Sequence, residues 1–359
     1  MTRVVAAMSG GVDSAVAAGL LAESGYEVVG VTMKMYAPKR PAHARSCCGA
    51  RDFEDARASA AALGIPHYVL DFEEAFRKNV VDRFVAEYRV GRTPNPCVAC
   101  NNFVKLGTLR RFAAQVGAQH VATGHYARLT HGDDGPRLWA AADRTKDQSY
   151  ALAQLSRDQL ASLLLPLGEL QKAQTRAHAR RLGLPVEQKP DSQDVCFLEG
   201  GDYRELPELA AAGSVAGRVV TAAGATVGSH AGTAAYTVGQ RRGLPPNHDN
   251  DGPRYVLRID AANNTIVVGR EDELGSAGLI ASEVNVLRPE LFASGTARVA
   301  AMTRYRAPLA PAVAEIDGDR LALRFDAPER AVTPGQLVAL YDADGGEVLA
   351  GATILEATA

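Results

Sequence analysis

The chain has 359 residues, 47% hydrophobic and 22% charged, with a formal net charge of −2. That length predicts two or three domains, and the composition is that of an ordinary globular protein, which excludes a disordered or low-complexity chain. The longest apolar runs, such as residues 163–167 (LLLPL), are far too short to span a bilayer, and the first residues lead straight into a strand pattern, so we expect no signal peptide, no membrane association and a cytoplasmic location. The charge is uneven: residues 1–200 carry 25 Lys and Arg against 21 Asp and Glu, and the remainder 14 against 20. A mildly basic first half suits a polyanionic partner, and a solvated surface would also produce it.

In chain order, residues 4–8 (VVAAM) predict a buried strand and residues 15–24 a helix. Between them stands Ser9-Gly10-Gly11-Val12-Asp13-Ser14. A strand, a glycine turn and a helix N-terminus make an anion site, because backbone N–H groups and the helix dipole converge there. Ser9 and Ser14 add hydroxyl donors, and Asp13 can cap the helix or help hold magnesium. The turn has no lysine of the Walker type, so transfer of a terminal phosphoryl group is not the natural chemistry.

Residues 27–33 predict a second strand, 53–63 a helix ended by Gly64, and 66–71 a third strand. Residues 93–101 (TPNPCVACN) predict an extended loop fixed by two prolines. Residues 106–116 predict a helix closed by Gly117, and 120–124 a fourth strand. Strands alternating with helices imply an α/β fold, a doubly wound parallel sheet with ligands at the carboxyl ends of its strands. After about residue 203 glycine becomes frequent and short apolar stretches alternate, which predicts a small β-rich segment over 204–274. A second β-rich block follows over 275–359, joined through the acidic stretch at 271–275.

Five cysteines, Cys47, Cys48, Cys97, Cys100 and Cys196, point to reactive or metal-binding thiols rather than a disulfide scaffold. Cys97 and Cys100 form the single close C-x-x-C pair, which disfavours a closed four-ligand zinc site. Cys47 and Cys48 are sequence neighbours with α-carbons about 3.8 Å apart, closer than ordinary disulfides favour. Buried small residues would explain them equally well.

Taken together, SGGVDS, TPNPCVACN, ATGHYAR at 122–128, KDQSY at 146–150, DSQDVCF at 191–197, YTVGQRRG at 236–243, RYR at 304–306 and TPGQ at 333–336 resemble the bacterial tRNA-specific 2-thiouridylases of the ATP-pyrophosphatase superfamily. The resemblance implies an adenine nucleotide alpha-hydrolase-like catalytic domain over 1–203, a β-rich connector over 204–274 and a β-barrel domain over 275–359. It implies that ATP is split between its α and β phosphates to adenylate the carbon-2 oxygen of the wobble uridine, which sulfur then replaces. By the match, Ala7, Met8, Ser9, Gly10, Gly11, Val12, Asp13 and Ser14 hold ATP with magnesium, bordered by Met33 and Gly124. Asn95, Pro96 and Cys97 would touch the target base, and His125, Lys146, Asp147, Gln148, Arg304, Tyr305 and Gln336 the tRNA. By the same match Asp13, Cys100 and Cys196 are catalytic: Cys196 would carry a persulfide received from a sulfur-donor protein (a cysteine desulfurase or sulfur carrier), and Cys100 would be the nucleophile. Either the persulfide attacks carbon 2 and Cys100 resolves it, or Cys100 frees sulfide that attacks, and both routes end in a Cys100–Cys196 disulfide.

Many relatives have an aspartate where this chain has Cys97, so that residue's role stays open. One alternative is a four-iron four-sulfur cluster on Cys97, Cys100 and Cys196 as the sulfur carrier. Another is a different adenylating enzyme with the same loop, an amide or lysidine synthetase, and a third is a tRNA-binding protein without catalysis. A monomer that binds tRNA and not DNA is the expectation throughout.

Overall fold

The computed structural model describes residues 1–36, 50–191, 195–198, 202–210, 215–246 and 252–359; Cys47 and Cys48 lie outside them. The chain divides into two compact units, one made of residues 1–81, 96–200 and 346–348, the other of residues 82–95, 201–345 and 349–359. Among the described residues no helix is long and apolar enough to cross a membrane.

The first unit is built on β1 (Arg3–Ala7), β2 (Glu27–Lys34), β3 (His67–Asp71), β4 (His120–Ala122) and, beyond a hairpin of β5 (Ala127–Gly132) and β6 (Gly135–Ala140), β7 (Leu163–Leu164). The sheet order is β3-β2-β1-β4-β7 and every pairing is parallel. Val4 and Val5 of β1 are fully buried because helices cover both faces of a central parallel strand, which is why its sequence is continuously apolar. The strand order reverses between β1 and β4, so the loops after these two strands leave toward opposite faces and open a crevice at their carboxyl ends. The doubly wound α/β expectation is met.

Helix α1 (Val12–Glu23) begins three residues earlier than the pattern at 15–24 suggests. Gly11, extended at φ −95° and ψ 159°, is its N-cap, so Asp13 stands in the first turn and does not cap the helix. The expected extended loop at 93–101 is a helix from Pro96 onward: Pro96–Ala99 is α, Cys100–Thr108 is π, and Leu109–Gln115 returns to α. Proline lacks an N–H and has φ pre-set near the helical value, so it opens a helix readily, while Asn95 before it is pushed out of the helical region. Cys97 and Cys100 therefore sit one helical turn apart. The π segment that follows is a form of helix frequent at functional sites.

The second unit holds a four-stranded sheet and a closed six-stranded barrel. The sheet has the order β10 (Tyr255–Asp260), β11 (Thr265–Gly269), β8 (Gly217–Thr221), β9 (Thr226–His230). The barrel runs β12 (Gly275–Val286), β15 (Arg320–Arg330), β14 (Ala310–Asp317), β13 (Thr296–Met302), β16 (Leu337–Tyr341), β17 (Val348–Thr358). Its core alternates along each strand, with Leu321, Leu323 and Phe325 facing inward from β15 and Ala312 and Ala314 from β14. Large residues stand opposite small ones, Phe325 across from Ala312 and Leu323 across from Ala314, as the interior of a narrow barrel requires. Residues 82–95 join this unit through Tyr88, whose ring stacks on Tyr203 at 4.5 Å, and through Thr93 N, which donates to Pro334 O at 2.8 Å.

Candidate active site

The loop after β1 is folded on itself. Ser9 N donates to Ser14 Oγ at 3.1 Å, and Ser14 Oγ donates to Gly11 O at 3.1 Å. Gly10 takes φ +73°, and a Cβ there would lie 2.2 Å from Asp52 O in α2 (Ala50–Ala62). Gly124, just past β4, is equally tight: a Cβ would lie 2.6 Å from Ser14 N and 2.7 Å from Asp13 C. Two glycines thus let α2 and the β4 loop close on the turn from either side. The first N–H groups of α1 have no intrahelical acceptor and lie at this turn, the arrangement in which a helix N-terminus takes an anion. Ala7, Met8 and Val12 are buried beneath it, with Met8 N donating to Val31 O and Met8 O accepting from Thr32 Oγ1. Met8 is the loop's floor. Met33 is buried near the end of β2.

A ring of lysines surrounds the loop. Lys172 Nζ donates to both carboxylate oxygens of Asp13, at 2.6 and 2.8 Å, and pairs with Asp191 Oδ1 at 2.7 Å. Lys146 Nζ holds the other oxygen of Asp191 at 2.8 Å, and Arg176 lies 3.6 Å from Asp191 Oδ1. Burial alone would raise the Asp191 pKa, but hydrogen bonds from Lys146 and Lys172 outweigh it and hold the carboxyl below its usual range. Lys189 Nζ donates to Gly10 O at 2.9 Å and to Asp52 and Asp55 at 2.6 Å each, which ties α2 to the glycine turn. Tyr126 OH donates to Asp13 Oδ1 at 2.9 Å; burial, then the Asp13 charge, pushes its pKa up.

Sequence reasoning did not single out Tyr126, Lys172 or Lys189. A signal existed, because the chain is poor in lysine: seven among 39 Lys and Arg, three of them on this ring. Lysine presents a compact point charge that suits a phosphate, which is where a scarce lysine is worth noticing.

Two of the thiols border residues that follow β2 and β3. Cys100 is 6% exposed, and its Sγ donates to Sδ of Met35, the residue after β2, at 3.8 Å. Cys196 is half-buried, and its neighbour Phe197 packs edge-on against Phe76 at 5.8 Å. Phe197, next to Cys196, is thereby held against Phe76. Cys97 is exposed, and all three stand as thiols. Among the described residues no three Cys, His, Asp or Glu side chains are gathered to hold a metal, so Cys97, Cys100 and Cys196 are not brought together as cluster ligands.

Several residues expected at the tRNA are engaged within their own unit. Asp147 accepts from Ala141 N and from Ser149 N and Oγ, and Gln148 Oε1 accepts from Tyr126 N. His125 Nδ1 lies 2.8 Å from Thr123 Oγ1; the residue is half-exposed by area, yet the ring is enclosed enough that burial, then the Lys105 charge, pushes its pKa down to about 3. It is neutral at pH 7. In the second unit, Gln336 Nε2 donates to Thr93 O at 2.7 Å, which steadies the residues leading to Asn95. Arg304 is exposed, Tyr305 is 40% exposed, and the Arg306 guanidinium lies 5.1 Å from the Tyr305 ring. That surface has the cationic and stacking groups that single-stranded RNA takes.

Residues 2–200 match the family described as "tRNA methyl transferase HUP domain", residues 210–270 "tRNA methyl transferase PRC-barrel domain" and residues 276–354 "Aminomethyltransferase beta-barrel domain". The chain is 45% identical to the tRNA-specific 2-thiouridylase MnmA of Acidithiobacillus ferrooxidans, over 99% of each chain. It is 45% identical to that of Geobacter metallireducens, over 98% of this chain and 96% of the relative. It is 41% identical to that of Rickettsia bellii, with the same coverage. This chain belongs to the tRNA-specific 2-thiouridylase family.

Proposed function

We propose that this chain replaces the carbon-2 oxygen of the wobble uridine of tRNA by sulfur, in an ATP-dependent reaction that gives 2-thiouridine, AMP and pyrophosphate. This reading is supported by an anion loop without a Walker lysine after β1, by Cys100 against Met35, the residue after β2, and by Cys196, whose neighbour Phe197 packs on Phe76. Methyl transfer, which the names of the matching families mention, has no use for that pairing.

The carbonyl is urea-like and its oxygen leaves poorly, so activation comes first. The uridine oxygen attacks the α phosphate of ATP, the bond to the β phosphate breaks, and pyrophosphate leaves into the turn at Ser9 to Ser14. The base reaches the pocket only when turned out of the anticodon stack. Asn95, Pro96 and Cys97 are the residues we assign to it, and Arg304, Tyr305 and Arg306 form the surface assigned to the tRNA. Asp13 and the phosphates would hold magnesium, which neutralises charge on the departing pyrophosphate. With an ion held there, Asp13 would face it in place of Lys172, and the Lys172 ammonium would be left to pair with the phosphates, supplying the cation that the loop lacks.

A persulfide on Cys196, loaded by a donor protein, attacks carbon 2 through its outer sulfur and AMP leaves. Cys100 thiolate then attacks the Cys196 Sγ, the sulfur–sulfur bond to the base breaks, and thiolated uridine departs. The two cysteines finish as a disulfide.

Two results test this scheme. Pyrophosphate release from ATP should require tRNA; release independent of tRNA would count against adenylation of the base. Lys172→Met should raise the KM for ATP roughly tenfold to a hundredfold, the worth of a charge-assisted hydrogen bond, with Lys172→Arg recovering part of it. A KM that rises for tRNA and not for ATP would give Lys172 a structural role instead.

A further inference from the structure

A disulfide between Cys100 and Cys196 poses a problem of access. Cys100 is 6% exposed, with its sulfur turned onto Met35, and Cys196 is only half-exposed. An external reductant must bring a thiolate in line with one of these sulfurs. Cys97 is exposed and one helical turn before Cys100, on the helix that opens at Pro96. Residues three apart on a helix share a face, with α-carbons within the range that ordinary disulfides span. Cys97 is exposed, whereas Cys100 is 6% exposed with its sulfur against Met35.

We propose that Cys97 is the resolving thiol that regenerates the enzyme, an inference that rests on the persulfide scheme above. The Cys97 thiolate attacks Cys100 Sγ, the Cys100–Cys196 bond breaks, and Cys196 leaves as a thiolate that takes up a proton. The product is a Cys97–Cys100 disulfide with Cys196 returned to the thiol form, ready for the next persulfide. Two electrons then come from a dithiol reductant, small molecule or protein, whose first thiolate attacks the exposed Cys97 sulfur. Its second thiolate releases the mixed disulfide, leaving the reductant oxidised and Cys97 and Cys100 reduced. Cys97 is thus the port through which reducing equivalents reach a buried centre.

The test uses the full chain loaded with persulfide, with ATP and tRNA, first without and then with a dithiol. Without reductant, wild type should complete one turnover, and mass spectrometry of alkylated peptides should find Cys97 joined to Cys100 with Cys196 alkylated. Cys97→Ser should end with Cys100 joined to Cys196. With dithiol and persulfide donor, it should show a first turnover followed by loss of the later ones, whatever the rate of that first turnover. Wild type ending with Cys100 joined to Cys196 and Cys97 alkylated would overturn the proposal while leaving the persulfide scheme standing. Sustained turnover by Cys97→Ser would do the same. Absence of any first turnover in wild type would sink the scheme and this inference together.

Discussion

Cys196→Ser should abolish 2-thiouridine formation, by roughly a thousandfold or more, as removal of a covalent nucleophile does. Serine is close in size, and the neighbouring contacts are made by other residues: Phe197 stays against Phe76, and Asp191 stays with Lys146 and Lys172. The fold therefore survives. What is lost is the sulfur atom, since an alkoxide cannot carry a transferable persulfide. Activation of the base precedes sulfur transfer, so tRNA-dependent pyrophosphate release should persist in this variant. Retained thiolation would remove Cys196 from the mechanism. Loss of both activities, with a normal unfolding temperature, would mean that Cys196 contributes to adenylation as well.

The second large effect is expected at Gly124. A Cβ there would stand 2.6 Å from Ser14 N, 2.7 Å from Asp13 C and 2.9 Å from Asp13 O, all of them backbone atoms of the turn. No side chain can swing away to relieve the contact, so the first turn of α1 or the β4 loop must move. Overpacking of this kind costs about 1–3 kcal/mol in stability. The functional cost is larger, because displacement of the turn by a few tenths of an ångström misaims its N–H groups. Gly124→Ala should raise the KM for ATP about tenfold or more, in line with the loss of one or two hydrogen bonds to a charged ligand. Gly25→Ala serves as the control: a Cβ at Gly25 meets nothing within 4 Å, but φ is +84°. It should lower the unfolding temperature and leave the KM for ATP unchanged. Gly124→Ala with an unchanged KM would detach β4 from nucleotide binding.

Much of this site could be read in the sequence because it is written locally. A strand-glycine-helix string carries its own geometry, and SGGVDS folds as such a string must. Strands alternating with helices likewise expose the parallel sheet, whereas the short alternating stretches after residue 203 announce only β-rich segments, and the barrel came from the family resemblance. What escaped reading depends on residues distant in sequence. Lys172 meets Asp13 across 159 positions and Lys189 meets Gly10 across 179, pairings that no local pattern encodes. Local rules also mislead where two of them compete. The prolines at 94 and 96 favour an extended chain, yet Pro96 is equally suited to open a helix, and the apolar spacing that follows decides for the helix. At Asp13, capping competed with ion pairing. The Lys172 ammonium at 2.6 Å wins, because a charged partner is worth more to a carboxylate than one further backbone N–H. Short, weakly patterned pieces such as β7 and β9 are stabilised by the strands beside them, so little in their own residues announces them.

The central claim is that one sheet edge couples ATP cleavage at the α phosphate to replacement of oxygen by sulfur on a tRNA base. The most direct measurement is a single-turnover reaction with persulfide-loaded protein, ATP labelled in the α phosphate and unmodified tRNA, with nucleosides and nucleotides quantified together. The account predicts 2-thiouridine at the wobble position, with one AMP and one pyrophosphate formed for each. Formation of ADP and phosphate, thiolation without ATP, or a methylated uridine in place of the thiolated one would contradict it.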